Sequence, residues 1–205
     1  MERIQLTSYR NYTAARIEAG PEPVVLCGPN GSGKTNLLEA ISLLTAGQGL
    51  RRAPYPELAR MGADGWSVAA RLHTPLGAVD IGTGLLPGQD AGRAGRTVRI
   101  DGETQSAGAL GDLVEIMWVT PAMDGLFTGA ASERRRFLDR LIACFDPGYR
   151  KLLNQYERAM QQRNRLLADN VQDAARFEGF ERVMSEAGVA IAAARAAAVA
   201  ELSQA

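Results

Sequence analysis

The sequence predicts an α/β fold, in which a P-loop lobe is followed by a lobe of long helices. A glycine-rich segment at residues 28–35 fits the pattern G-x-x-x-x-G-K-[ST] at every fixed position. Short apolar segments typical of strands dominate up to about Thr120, and from about residue 129 the apolar residues recur at helical spacing. We therefore expect one lobe over residues 1–128 and an incomplete helical lobe over residues 129–205.

The glycine-rich segment has the flanks that a P-loop requires. Val24–Cys27 precedes it as an expected buried strand, and residues 36–44 follow it as an expected amphipathic helix. Strand, loop and helix together place backbone N–H groups around a phosphate at the positive end of the helix. Lys34 is expected to reach the β- and γ-phosphates and Thr35 to bind Mg²⁺, which makes them the catalytic candidates. A coincidental glycine-rich turn is the disfavoured alternative.

The first lobe is predicted to be rich in strands. Asp101-Gly102 is typical of a tight hairpin turn, residues 84–95 of a flexible surface loop, and Glu57–Met61 of a second short helix. The predicted strands are Arg3–Leu6, Ala15–Ile17, Val24–Cys27, Ser67–Leu72, Val79–Gly82, Thr97–Ile100 and Leu113–Val119.

Three helices are predicted in the second lobe. Ser132 is the expected N-cap of the first, whose apolar face runs from Phe137 to Phe145. The second spans Tyr149 to about Ala168, and the third carries apolar residues from Phe177 to the end of the chain, where the pattern continues without a cap. A helical hairpin or coiled-coil arm and two amphipathic helices packed on a globular core are both compatible with this pattern.

Composition narrows the possible functions. The formal net charge is zero, so a case for nucleic acid must come from local clusters of cations. Cys27 is expected to be buried, and the two cysteines do not suggest a disulfide scaffold; the single histidine, His73, is expected in a strand. No segment resembles a signal peptide, and the alanine-rich residues 189–200 are too short to span a bilayer. We expect a cytoplasmic protein with no membrane partner.

One element of a complete P-loop ATPase is missing from the sequence. No apolar strand ends in the acidic residue that would hold Mg²⁺ and orient water. Leu44-Thr45-Ala46-Gly47-Gln48 superficially resembles an ABC signature, which lies at the start of a helix. Here the segment instead follows the P-loop helix, and Gly47 is placed to end that helix.

Four blocks of the sequence stand out together: Ser8-Tyr9-Arg10-Asn11-Tyr12, residues 28–41, Ser132–Asp139 and Gln162–Leu167. These blocks resemble the RecF family of DNA replication and repair proteins, which are relatives of the SMC-like ABC ATPases. The resemblance covers the chain from end to end and corresponds to the N-terminal part of the family. Pro121-Ala122-Met123-Asp124 departs from the usual Pro-Glu-Asp, and Leu50 replaces a usual aromatic residue.

The resemblance implies an ABC/SMC-type ATP-binding lobe followed by a helical arm. It further implies ATP-dependent homodimerisation, binding to single-strand/double-strand DNA junctions, and work with RecR and RecO to load RecA at gaps in repair, recombination and the SOS response. Carried over residue by residue, it makes Thr35 the Mg²⁺ ligand and places Arg10 and Asn11 beside the nucleotide. The ATP-binding residues it implies are Gly28, Pro29, Asn30, Gly31, Ser32, Gly33, Lys34, Thr35 and Asn36, with Arg10 and Asn11.

Local cation clusters supply the DNA-binding candidates. Arg51 and Arg52 form one pair, and Arg134, Arg135 and Arg136 lie in a stretch with excess positive charge. A solvated surface is the alternative for that stretch, in which Arg135 can pair with Asp139.

The sequence predicts nucleotide binding with little or no turnover by this chain, and weak DNA-dependent hydrolysis by the full-length family protein. Two alternatives stay open: a non-hydrolysing, ATP-dependent DNA-tethering module, and another P-loop enzyme such as a nucleotide kinase.

Overall fold

A computed structural model of the protein describes residues 1–75, 77–88 and 95–204. The chain divides into two compact units, Met1–Ile116 and Met117–Ala205. The first unit is built on a sheet and the second is helical. The lobe boundary predicted after residue 128 stays a prediction about the complete protein.

The first unit contains a six-stranded antiparallel sheet with the strand order β2-β1-β3-β4-β5-β6. Leu6 lies opposite Val68, and Ala70 lies opposite Ile81, so alternate apolar residues of neighbouring strands share one face. The strands are β1 Arg3–Tyr9, β2 Tyr12–Glu18, β3 Trp66–Thr74, β4 Gly77–Leu85, β5 Thr97–Ile100 and β6 Glu103–Gln105.

Helix α1, Lys34–Ser42, supplies the other side of this core. Its Leu37 and Ala40 are buried together with Ile4 and Leu6 of β1. Residues three apart lie on one face of a helix, so this burial holds the start of α1 in a fixed position relative to the sheet.

Arg96 caps the other end of α1. Its guanidinium, which is buried, donates hydrogen bonds to the carbonyls of Leu43 and, at 2.6 Å, of Thr45. Burial lowers the pKa of Arg96. A cation at the C-terminus of a helix meets the negative end of the helix dipole, so Arg96 fixes this end of α1.

Five predicted strands are confirmed, each lying within one of β1 to β5. The predicted hairpin turn is also confirmed: Asp101 and Gly102, with φ of 49° and 85°, join β5 to β6. The sequence did not predict β6. The predicted loop at 84–95 is partly wrong, because β4 continues through Leu85, and residues 89–94 lie outside the described residues.

Two predicted strands are wrong. Val24–Cys27 and Leu113–Val119 have no strand structure; Val25 is 81% and Val119 76% exposed, and Cys27 is exposed rather than buried. A strand exists only through hydrogen bonds to a neighbouring strand, and neither segment has such a neighbour among the described residues. Both segments are therefore apolar in composition but lack the strand pairing that this composition predicted.

Short helices complete the first unit. The segment predicted as a helix at Glu57–Met61 is instead a 3₁₀ turn at Tyr55–Leu58, and another 3₁₀ turn at Ala107–Ala109 leads into α2, Leu110–Leu113. The segment Leu44–Gln48, which resembles an ABC signature, lies beyond the end of α1, as predicted. Gly47 in this segment has a φ of 108°.

The second unit consists of a 3₁₀ turn, Pro121–Gly125, and three helices: α3, Ala131–Phe145; α4, Pro147–Ala168; and α5, Ala174–Leu202. Helices α4 and α5 form the predicted hairpin, and α3 packs against both through Ile142, Tyr149 and Ile191. Both alternatives thus hold in part, since a helical hairpin exists and a small core covers one end of it.

Two details of α3 differ from the prediction. Ala130 rather than Ser132 occupies the N-cap position, and no side chain caps it. Phe145, predicted to lie on the apolar face, is 83% exposed at the last residue of α3. At the next residue, the Asp146 carboxylate accepts a hydrogen bond from the Gly148 N–H and caps α4.

Helix α5 is, by length and composition alone, able to cross a membrane, whereas residues 189–200 were predicted to be too short. Alanine supplies much of this apolar composition. The Arg195 guanidinium of α5 forms two hydrogen bonds, of 2.8 and 2.9 Å, with the Asp139 carboxylate of α3, an arrangement typical of a helix packed within a protein.

Candidate nucleotide-binding site

The glycine loop turns sharply into α1. Gly28, Gly31 and Gly33 have φ of 148°, 83° and 101°, a region that other residues rarely adopt. Gly33 is the N-cap of α1, and its carbonyl accepts the first helical hydrogen bond, at 2.9 Å from the N–H of Leu37. The N–H groups that precede Leu37 have no partner within the helix and form an anion-binding helix start.

The turn between β1 and β2 lies directly against Gly33. A Cβ added at Gly33 would come within 2.7 Å of both the Asn11 amide nitrogen and the Tyr12 hydroxyl oxygen. The Asn36 amide, one helical turn into α1, donates a 2.8 Å hydrogen bond to the Asn11 side-chain oxygen. Asn11 therefore holds the loop and the helix start together.

Lys34 folds back over the loop. Its ammonium donates hydrogen bonds of 2.6 and 2.8 Å to the carbonyls of Gly28 and Pro29. The side chain thus spans the concave side of the loop, where an ammonium can meet a phosphate.

Arg51 lies in the same place, although the sequence assigned it to DNA. It lines the hollow over the loop, whereas its neighbour Arg52 is not among the lining residues, although both arginines are exposed. The lining residues are Asn30, Gly31, Gly33, Lys34, Thr35, Asn36 and Arg51.

Beside the hollow, Glu39 accepts hydrogen bonds from two arginines. The Arg10 Nε and Nη2 atoms each lie 2.9 Å from one of its carboxylate oxygens, and Arg51 Nη1 lies 3.2 Å from Oε2. The Glu39 side chain is 2% exposed. The hydrogen bond to Glu39 is the main cause of a raised pKa for Arg10, so the Arg10 guanidinium keeps its positive charge.

Tyr9 lies beside this pair at the end of β1. Its ring packs edge-on against Trp66 at a centroid distance of 5.5 Å, and its buried hydroxyl has no hydrogen-bond partner among the described residues. Burial, together with the negative charge of Glu39, raises its pKa, which keeps the hydroxyl neutral.

The hollow fits a nucleotide phosphate better than a free metal ion. No carboxylate is among its lining residues, and in the part of the chain that the structure describes no three His, Cys, Asp or Glu side chains cluster to hold a metal. Its donors are N–H groups, an ammonium and a guanidinium, which suit an anion. A Mg²⁺ ion at Thr35 would therefore take its other oxygen ligands from the phosphates and from water.

The remaining DNA candidates lie in the second unit. Arg134, Arg135 and Arg136 are all exposed at the start of α3, and Arg134 donates a 2.7 Å hydrogen bond to the carbonyl of Gly129. Asp139 pairs with Arg195 and not, as suggested from the sequence, with Arg135.

Sequence reasoning missed Glu39 and Tyr12. Glu39 stands in the quoted P-loop block with no partner visible in sequence, because its arginines lie 29 residues before it and 12 after it. A carboxylate among Leu37, Ala40 and other apolar positions of an amphipathic helix was the available signal.

Comparison with known proteins agrees with this geometry. The family described as AAA domain matches residues 3–71. The DNA replication and repair protein RecF of Mesorhizobium japonicum is 54% identical over 198 residues, which is 96% of this chain and 52% of that protein. The RecF of Brucella suis biovar 1 is 49% identical over 201 residues, 97% of this chain and 52% of that protein.

Solved structures match as well. One described as the recombination mediator protein RecF with ATP in the RecFOR pathway has a TM-score of 0.82 and 24% identity, over 98% of this chain and 54% of that one. Another, described as RecF with ATPrS, has a TM-score of 0.80 and 23% identity over the same shares.

The fold and the glycine loop define a P-loop protein of the ABC/SMC ATPase class, which confirms the predicted fold class. The chain spans about half the length of the curated relatives that it matches. Over nearly all of its own length, the chain corresponds to an N-terminal portion of the DNA replication and repair protein RecF.

Proposed function

We propose that this chain binds ATP, with the triphosphate in the hollow over the glycine loop. The observation that carries this proposal is the convergence of unpaired N–H groups, the Lys34 ammonium and the Arg51 guanidinium on one concave surface. Thr35, at the start of α1, is the proposed Mg²⁺ ligand beside the phosphates.

Each predicted site residue has a role in this arrangement. Lys34 exchanges the carbonyls of Gly28 and Pro29 for phosphate oxygens, and the N–H groups of the loop hold the remaining oxygens. Asn11 keeps the β1–β2 turn against the loop, so the predicted residues Arg10 and Asn11 support the site from one side.

For the complete protein we propose a role in DNA replication and repair, like that of the RecF proteins it resembles. ATP closes a homodimer on single-strand/double-strand DNA junctions in the cytoplasm, and RecR and RecO then help to load RecA. Arg52 and the arginines at 134–136 are proposed to contact phosphates. Replacing those at 134–136 with alanine in the full-length protein should lower the dependence of DNA affinity on salt, and an unchanged dependence would exclude them.

This chain alone is proposed to bind ATP with little or no turnover. A carboxylate is needed to complete the Mg²⁺ shell and orient water, and none is among the residues that line the hollow.

Titration calorimetry with Mg-ATP tests the binding proposal. The chain has two lysines, Lys34 and Lys151, which provide a matched pair of variants. Lys34→Ala should weaken binding by about 100-fold or more, because a charge-assisted contact to the phosphates is lost. Lys151→Ala in α4 should bind like the wild type. Equal affinity of Lys34→Ala and the wild type would remove the assignment.

A further inference from the structure

Glu39 is a carboxylate inside the first helix of the site, and it is almost fully withdrawn from water. A buried charge is retained only when partners replace its solvation. Glu39 accepts three hydrogen bonds from guanidinium groups, at 2.9, 2.9 and 3.2 Å. The cluster of one carboxylate and two guanidinium groups keeps a net charge of +1 and therefore still attracts an anion.

Arg10 reaches Glu39 from the β1–β2 turn. Its φ of 50° places a non-glycine residue in the left-handed region, a conformation that is uncommon and is retained when the surroundings hold it. Arg10 Nη1 also donates a 3.0 Å hydrogen bond to the Glu57 carbonyl. Glu39 therefore anchors the turn that presses Asn11 against Gly33.

Arg51 reaches Glu39 from the segment that follows α1. Its Nη1 atom is shared between Glu39 and the side-chain oxygen of Asn36, which lies 2.9 Å away. Among the described residues, these bonds engage Nη1 alone and leave Nε and Nη2 available to an anion in the hollow. Asn36 also bonds Asn11, which follows Arg10 directly in the chain. The hydrogen bonds and this peptide link together form a closed ring through Arg10, Glu39, Arg51, Asn36 and Asn11.

We propose that Glu39 is a positioning residue for nucleotide binding, which holds Arg51 at the phosphates and Arg10 in the turn beside the loop. Nucleotide binding by this chain is the proposed function, on which this inference rests. Glu39 contacts no phosphate itself; it fixes the direction in which Arg51 presents its two remaining nitrogens.

Four variants of the 205-residue chain test this role: Glu39→Gln, Arg51→Ala, the double variant, and, as a matched control, Arg99→Ala at an exposed arginine of β5. Mg-ATP affinity is measured by calorimetry and folding by thermal melting. Glu39→Gln keeps the size of the side chain and breaks the carboxylate fork, so it should weaken ATP binding about tenfold, as should Arg51→Ala. The double variant should bind within about threefold of the weaker single variant, because both changes remove one contact. Arg99→Ala should bind like the wild type.

A purely structural Glu39 would lower the melting temperature and leave ATP affinity unchanged, or would give losses that multiply in the double variant; either result overturns the proposal. If Glu39→Gln does not fold, Arg51→Ala decides alone: affinity within twofold of the wild type would mean that no arginine needs positioning. Lys34→Ala in the same assay separates the two proposals, because its unchanged affinity would refute nucleotide binding itself.

Discussion

The two units of the chain use the same chemistry for different ends. In the first unit, Glu39 binds arginines from two distant segments, and the cluster opens on the hollow over the glycine loop. In the second, Asp139 binds Arg195 and the Tyr149 hydroxyl, at 2.8 and 2.6 Å, and joins one residue from each of α3, α4 and α5.

Burial alone does not tell these clusters apart. The side chains of Glu39 and Asp139 are 2% and 15% exposed, and each accepts a two-nitrogen fork from one arginine. What differs is the neighbourhood: Glu39 lies beside the start of α1, whose first N–H groups have no acceptor within the helix, whereas the polar partners of Asp139 come from the helices that pack together. A carboxylate–arginine cluster is thus a functional candidate when it adjoins unsatisfied donors.

The largest expected effect comes from filling the contact between the glycine loop and the β1–β2 turn. Gly33→Ala would place a Cβ 2.7 Å from two polar atoms at a φ of 101°. We expect ATP binding to be lost and the free energy of unfolding to fall by about 1–3 kcal/mol. Gly31→Ala is the control, because its φ is 83° but no atom lies within 4 Å of the added Cβ. Equal losses in both variants, by calorimetry and chemical denaturation, would show that the turn does not constrain the loop.

An intermediate effect is expected from breaking the cluster of the helical unit. Asp139→Asn should lower the free energy of unfolding by about 2 kcal/mol, since it removes charge-assisted bonds to a half-buried arginine. ATP affinity should not change. Glu181→Gln, which breaks the more exposed pair with Arg163, should cost less than about 1 kcal/mol. Hydrogen exchange should show the loss in α5, and a loss of ATP affinity would contradict the separation of roles.

Part of this structure could be predicted from the sequence. It predicted the P-loop, five strands and the helical hairpin, because these depend on local periodicity and glycine spacing. It failed at Val24–Cys27 and Leu113–Val119, where apolar composition indicates a strand but pairing decides it. It also could not connect Glu39 to Arg10 and Arg51, because that contact depends on tertiary packing across three segments.

The smallest expected effect is a dependence on alkaline pH in the helical unit. Burial, followed by the hydrogen bond to Asp139, raises the pKa of Tyr149 from its ordinary value of 10.0 to about 12. Because the unfolded chain releases this proton first, the contribution of Tyr149 to stability is complete below pH 10 and is lost as the pH rises towards 12. Tyr149→Phe should therefore flatten the stability curve between pH 10 and 12, as followed by denaturant melts. A curve that stays as steep as that of the wild type would contradict this assignment.

The proposed binding mode places the phosphates of ATP at Lys34, and the two lysines of the chain allow a direct measurement. An acyl-phosphate derivative of ATP transfers its acyl group to a nearby amine, and peptide mass spectrometry then identifies the labelled lysine. We expect labelling of Lys34 that excess Mg-ATP abolishes, with only background labelling of the exposed Lys151. Equal labelling of the two lysines, or labelling of Lys34 that ATP does not suppress, would contradict this binding mode.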